Sequence, residues 1–384
     1  MRLGGALNIA DLERLARRRL PHGVYQFVAG GTEDNSTRER NRAAFEQWRL
    51  VPRMLVDTSA RTLETTLFGY RYAMPLGIAP MGVTAITWYE ADLALARAAA
   101  GLNLPFVLSG VSTVPMERIA AATTAPRWYQ AYLNADRAAI EALAARLLKA
   151  EYEVLVVTVD AQLGANRENN LRTGFSIPFT LNRRMVASGL ARPRWLIDTL
   201  AQTLVRGGVP HFENQGATRG DPIVREQAQR WRAGRDRLDW DDMAWLRSIW
   251  PRRLVLKGIL RSDDARRAAE IGADGVIVSN HGGRQLDGAV AALDMLPEIV
   301  DAVGERLVVM FDSGIRRGTD ALKALALGAR FVFAGRAVLF GTAAAGEAGA
   351  KHALGILKSE LERDFGLAGC VSVADLDRSL VRRV

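Results

Sequence analysis

Residues 279–287 read Ser-Asn-His-Gly-Gly-Arg-Gln-Leu-Asp, bringing an imidazole, two adjacent glycines, a guanidinium and a carboxylate together within nine positions. Imidazole exchanges a proton near neutral pH, and guanidinium holds an anion through a planar fork of donors. His281 can therefore act as a base on a substrate whose anionic group Arg284 holds, while the glycines let backbone approach a flat ligand. The preceding run, Gly275-Val276-Ile277-Val278, is wholly apolar, as strands of a parallel sheet covered on both faces are. Of the four histidines in the chain, only His281 has such neighbours. Without them it would be read as a structural histidine.

Other reactive groups stand just after similar runs. Lys257, one of five lysines, closes Leu254-Val255-Leu256. Its ammonium either snorkels to the rim or supplies fixed charge beside a developing anion. Thr158 and Asp160 end the run from Val154, and Asp160 either caps a helix or holds an imidazolium at His281. Gly314 with Arg316, and Gly335 with Arg336, follow two further runs and offer open backbone N–H groups plus charge, which suits phosphate. Tyr25 and Tyr132 are each open to a core or a substrate-facing reading.

These positions need elements to hold them. Eight short apolar runs recur: Pro75–Pro80, Pro105–Gly110, Arg127–Tyr132, Val154–Asp160, Arg253–Gly258, Gly275–Asn280, Leu307–Gly314 and Phe331–Arg336. Helix-patterned stretches lie between most of them, including Ala91–Ala100, Arg137–Lys149, Ser262–Ile271, Leu293–Val303 and Gly318–Leu327. Glu90 and Asp92 are expected in the first turn of one helix, and Ser262-Asp263-Asp264 as the cap of another. Eightfold strand–helix alternation predicts an α/β fold, a (β/α)₈ TIM barrel, with a doubly wound open sheet as the alternative. Every run ends in polar, glycine-bearing or ionisable residues, at the end where barrel enzymes place their sites. Two segments stand outside the repeat: residues 1–70, with a helix over Ile9–Arg19, and residues 161–250, a long insertion after strand four. All 384 residues are read as one domain.

Charge and composition narrow the class. The net charge is +9, and residues 176–235 alone carry +6 beside Trp195, Leu196, Ile197, Leu200, Leu204, Val205 and Trp231. Such a mixture suits an anionic membrane surface, or else a lid packed on the barrel. The single cysteine excludes an internal disulfide and fits a reducing compartment, and the N-terminus lacks a secretory apolar core. A cytoplasmic protein, peripheral on the inner membrane face if the insertion docks, is expected. Prolines break both long uncharged stretches, so no membrane span is predicted. Neither a metal site nor nucleic-acid binding is expected, since no fold or aromatic platform for the latter is present.

The 279–287 string, with the other run ends, resembles the FMN-dependent α-hydroxy-acid dehydrogenase and oxidase family over residues 8–378. Asp312–Gly318, Gly341–Gly349 and Ala191-Arg192-Pro193-Arg194-Trp195 look most like its (S)-mandelate and bacterial L-lactate dehydrogenase branch. The resemblance implies oxidation of an (S)-2-hydroxy acid to the 2-keto acid, with FMN as cofactor and a quinone or other electron acceptor. Substrate contacts would fall to Tyr25, Tyr132, Arg167 and Arg284, with His281 as base and Asp160 paired to it. Flavin contacts would fall to Met81, Gly82, Ser109, Gln130, Thr158, Lys257, Ser279 and Asp312, and phosphate contacts to Gly314, Arg316, Gly335 and Arg336. A homo-oligomer, a tetramer, is also implied. Met81 and Val111 depart from common family residues, and Gly82 is more typical of the dehydrogenases. A peroxide-forming oxidase, a flavin enzyme of specialised substrate and a non-catalytic flavin-binding or membrane-docking module are the alternatives.

Overall fold

The computed structural model describes residues 2–123, 125–180, 182–225 and 234–384, so Glu226 and Trp231 of the insertion lie outside the described residues. Eight parallel strands form one sheet: β1 (Leu76–Ile78), β2 (Val107–Ser109), β3 (Arg127–Ala131), β4 (Tyr152–Thr158), β5 (Arg253–Ile259), β6 (Gly275–Val278), β7 (Val308–Phe311) and β8 (Phe331–Ala334). Sequential strands pair from β2 to β8, β8 pairs with β1, and Ile78 bridges Phe106 beside β2. The sheet thereby closes on itself as a (β/α)₈ barrel rather than an open doubly wound sheet.

Closure sorts side chains by parity. Val107, Trp128, Val154, Val156, Val255, Ile277, Met310, Phe331 and Phe333 fill the barrel interior, while their strand neighbours pack outward on the helices. Side chains alternate faces along a strand, so the next inward positions after these residues are Ser109, Gln130, Thr158, Lys257, Ser279, Asp312 and Gly335. Where hydrophobic filling stops, the inward register therefore continues in polar and glycine residues. A hairpin, Thr65–Leu67 with Tyr70–Tyr72, closes the opposite end, Phe68 lying 5.7 Å from the Trp128 ring.

The helices follow local sequence logic. Arg137–Lys149 buries Ile140, Leu143, Ala144 and Leu147 on one stripe, and the Asp136 carboxylate accepts from the Ala139 N–H at 3.1 Å. Two expected helix starts differ. Arg261 rather than Ser262 is the N-cap of Ser262–Glu270, because the Ser262 hydroxyl goes to Glu298 and Asp263 pairs with Arg261. Glu90 is a left-handed N-cap pairing with Arg118. Asp92 stands in the first turn as expected, fully buried on the hydroxyls of Thr84 and Ser112, and burial raises its carboxyl pKa.

Three helices precede the barrel: α1 (Ile9–Arg19), α2 (His22–Ala29) and α3 (Ser36–Glu46). The helix Arg336–Ala368 breaks at Ala345 and Gly346, where a side chain at Gly346 would meet the Trp88 ring at 2.5 Å. The insertion is tied down by Trp195, whose indole N–H donates to the Ile86 carbonyl at 2.7 Å, and by Arg19, which donates to Thr199 at 2.9 Å. Trp195 is buried and Leu196 and Leu200 are half-buried, whereas Ile197, Leu204 and Val205 are exposed, as is Leu190.

Candidate active site

A cavity of about 430 Å³ opens at the C-terminal ends of the strands, and its walls include Met81, Gly82, Thr158, Lys257, Asp312, His281 and Arg284. Its centre is a chain of three side chains. Asp160 Oδ1 lies 2.8 Å from His281 Nδ1, and His281 Nε2 lies 3.3 Å from the Tyr132 hydroxyl. A carboxylate on Nδ1 places the ring proton there and leaves the Nε2 lone pair for the phenol or a substrate. Burial lowers the imidazole pKa against the opposing pull of Asp160, with Lys257 and Arg167 adding to the decrease. The imidazole is thus neutral at neutral pH and competent as a base. His281 sits at φ 60, and the Ser279 hydroxyl accepts from its N–H at 3.0 Å.

The 279–287 string divides its labour. His281 and Arg284 face the cavity, whereas Asn280 exchanges two amide hydrogen bonds with Asn41 of α3, at 2.7 and 2.8 Å. Asp287 accepts from the Ser36 and Thr37 N–H groups at the start of α3. The double glycine is required by packing: a side chain at Gly283, φ 70, would strike the Arg38 backbone nitrogen at 2.4 Å, and one at Gly282, which lines the cavity, would meet Arg336 at 2.7 Å.

Lys257, buried, donates to the Ser279 hydroxyl at 2.9 Å and pairs with Asp312 at 3.2 Å. Desolvation opposes its charge, but Asp312, Asp160 and Tyr132 outweigh it and raise the ammonium pKa. A register shift follows at once in β5, where Gly258, φ 106, leaves room for Asp160: a side chain there would lie 2.6 Å from its Cβ. Ser109, Gln130 and Ser279 are buried behind the wall, with Ser109 donating to Gln130 Oε1 at 3.1 Å.

Arg167 and Arg284 meet at the cavity's other side. Arg167 donates to the Arg284 carbonyl at 3.4 Å and to Gln285 at 3.2 Å. Arg284 Nη1 donates to the carbonyls of Phe27 and Gly30 at 2.7 and 3.0 Å, its guanidinium 5.0 Å above the Phe27 ring. Burial and then Arg167 and Arg336 lower its pKa, the signature of a cation cluster that an anion would relieve. Arg336 donates to the carbonyls of Val28, Gly282 and Gly30, and burial brings it to about 9. At the first position of its helix, it places that helix's N-terminal N–H groups at the cavity.

Tyr25 is not brought to the cavity. Its hydroxyl donates to Glu13 at 3.0 Å, its ring stacks near Phe340, and burial and Glu13 push it up to about 12. Residues two apart on a helix point ~200° from each other, so Tyr25 and Phe27 cannot both face inward, and Phe27 is the one in the wall. Sequence reasoning missed Phe27. It also missed Arg38 and Arg42, whose spacing of four on α3 was the available signal, and Arg235, which had none.

A family model described as FMN-dependent dehydrogenase matches residues 16–383. The chain belongs to that family. Among relatives of the FMN-dependent dehydrogenase, (S)-mandelate dehydrogenase of Pseudomonas putida is 39% identical over 96% of this chain and 92% of its own length. An L-lactate oxidase of a Nostoc species is 40% identical over 99% of both. A crystal structure of the monotopic membrane protein (S)-mandelate dehydrogenase superposes with a TM-score of 0.92 at 38% identity, covering 99% of this chain and 100% of that one.

The residues present suit FMN. Gln130 Nε2, behind the wall, and Arg316 Nη1, of a residue lining the cavity, are buried donors with no hydrogen-bond partner among the described residues. Gly82 lines the same cavity and lies tight against Val111, whose Cγ2 a side chain there would meet at 2.1 Å.

Proposed function

We propose that this FMN-dependent dehydrogenase oxidises (S)-2-hydroxy acids, lactate- or mandelate-like, to 2-keto acids. The observation carrying this reading is the Asp160–His281–Tyr132 chain facing a pair of arginines across one cavity. Arg167 and Arg284 hold the substrate carboxylate and so orient the hydroxyl toward His281. His281 Nε2 takes the hydroxyl proton, and Asp160 stabilises the imidazolium formed. Tyr132, kept protonated by burial, donates to the substrate oxygen. When bound, FMN supplies the acceptor for the two electrons leaving with the Cα–H bond, and Lys257 sets positive charge at that wall. In a carbanion route His281 would instead take the Cα proton, with the same neighbours. Anaerobic addition of (S)-lactate and (S)-mandelate to the holoenzyme should bleach the flavin's visible band; a flavin unmoved by every 2-hydroxy acid refutes the reading.

Electrons would then pass to a quinone rather than oxygen. Exposed Leu190, Ile197, Leu204 and Val205 stand among Arg183, Arg184, Arg192, Arg194 and Arg206, which supports peripheral attachment to an anionic membrane. Among the described residues no helix is long and apolar enough to cross one. Cosedimentation with anionic vesicles at low salt, together with oxygen consumption during turnover, tests both points.

A further inference from the structure

Gln285 joins the two halves of the site. Its amide can sit only one way round, because a guanidinium donates and peptide carbonyls accept. Oε1 accordingly accepts from Arg167 Nη2 at 3.2 Å, while Nε2 donates to the carbonyl of Asp160 at 3.1 Å and to that of Leu163 at 3.4 Å. The neighbouring carbonyl of Arg284 also accepts from Arg167, at 3.4 Å. Arg167 is therefore held by the segment that carries His281 and Arg284, and the side chain that holds it also anchors the backbone of Asp160. Arg167 in turn acts on both groups through space, lowering the pKa of His281 and that of Arg284. A neutral acceptor suits this place. It fixes a guanidinium without setting a negative charge beside it, whereas a carboxylate of the same length would pair with Arg167 and face the carbonyls of Asp160 and Leu163 with no donor.

We propose that Gln285 is a positioning residue for substrate binding: it fixes Arg167 relative to Asp160 and His281, so that one 2-hydroxy acid meets the guanidinium with its carboxylate and the imidazole with its hydroxyl. The inference rests on the 2-hydroxy-acid reading and names the side chain that sets this spacing. Gln285 acts through Arg167 and not on the reacting atoms. Its loss weakens substrate binding, whereas proton transfer to His281 depends on the separate contact of the Asp160 carboxylate with Nδ1 and stays nearly as fast.

Stopped-flow bleaching of the holoenzyme's flavin by (S)-lactate and (S)-mandelate, followed against substrate concentration, gives the substrate Kd and the limiting rate separately in wild type, Gln285→Leu, Arg167→Met and the double variant. Gln285→Leu should raise Kd ~10-fold, the worth of a hydrogen bond to a charged group, with a limiting rate within about threefold of wild type. In the Arg167→Met background the same replacement should change Kd less than about twofold, because a residue that acts through Arg167 has nothing left to position. Flavin content reports folding. If Gln285→Leu takes up no flavin, Gln285→Glu makes the same comparison, its carboxylate competing with the substrate's for Arg167 and again raising Kd. A flavin-replete variant that binds substrate as tightly as wild type, a loss confined to the limiting rate, or an equal rise in Kd with and without Arg167 overturns the inference alone. If no 2-hydroxy acid bleaches the wild-type flavin, the 2-hydroxy-acid reading falls and the inference falls with it.

Discussion

Replacing Asp160 with Asn removes a charge and changes little else in size. Its carboxylate lies 2.8 Å from His281 Nδ1, and both groups are largely buried. With an effective dielectric near 20 and charge centres ~4 Å apart, the pair is worth at most ~4 kcal/mol once the imidazole is protonated. The net value of a charge-assisted hydrogen bond is smaller, ~1.5–3 kcal/mol, so the rate of flavin reduction should fall ~10–10²-fold at its plateau. A second signature separates this from mere disorder. Asp160 raises the His281 pKa against burial, so its loss must lower that pKa further. The base works only when deprotonated, so activity falls as pH drops through this pKa, and in Asp160→Asn the acid limb of kcat/KM moves to lower pH. Stopped-flow reduction between pH 4 and 9 measures plateau and limb together. A plateau within threefold of wild type, or a limb displaced upward, would falsify the assignment of Asp160 as the partner that stabilises imidazolium.

Arg284→Lys keeps the charge but loses the planar fork, and should cost ~2–4 kcal/mol in kcat/KM; unchanged kinetics would make Arg284 a structural cation. Gly82→Ala forces a methyl against Val111 Cγ2 and should destabilise the holoenzyme by ~1–3 kcal/mol, with Val111→Ala in the same chain restoring the melting temperature. If the double variant melts no higher than Gly82→Ala, the clash is not the cause. Arg316→Met should weaken FMN binding more than it lowers apoprotein stability, because the buried guanidinium, brought down to about 10 chiefly by burial, gains its anion from the cofactor. Equal melting temperatures of apo and holo wild type would contradict that account.

The barrel and the strand-borne part of the site were legible because both follow one period. Apolar runs mark the strands, and the residues at their ends inherit an inward direction from Val107, Trp128, Val156, Val255, Ile277 and Met310. His281, Asp160 and Lys257 could be named from position and residue type alone. Side chains arriving from outside the repeat were harder to read. Tyr25 and Phe27 are two apart on α2, and no local pattern says which faces in until α2 is docked. The packing need for Gly282 and Gly283 was hidden for the same reason, since α3 and Arg336, which crowd them, come from remote parts of the chain. Arg235 has no periodic neighbourhood at all.

Arg336 reaches back 308 residues to the carbonyl of Val28 and 306 to that of Gly30. During synthesis α2 leaves the ribosome early and waits for nearly the whole barrel before its carbonyls meet this guanidinium. Closing so long a loop is slow, and it rewards the chain only at the end. The catalytic cavity is therefore among the last parts of the molecule to be completed, though every side chain proposed to move a proton or hold a carboxylate lies before residue 285. A chain cut short at residue 330 would carry His281, Asp160, Lys257 and both carboxylate-binding arginines, yet would have no closed barrel and no Arg336 to hold the carbonyls of Val28 and Gly30.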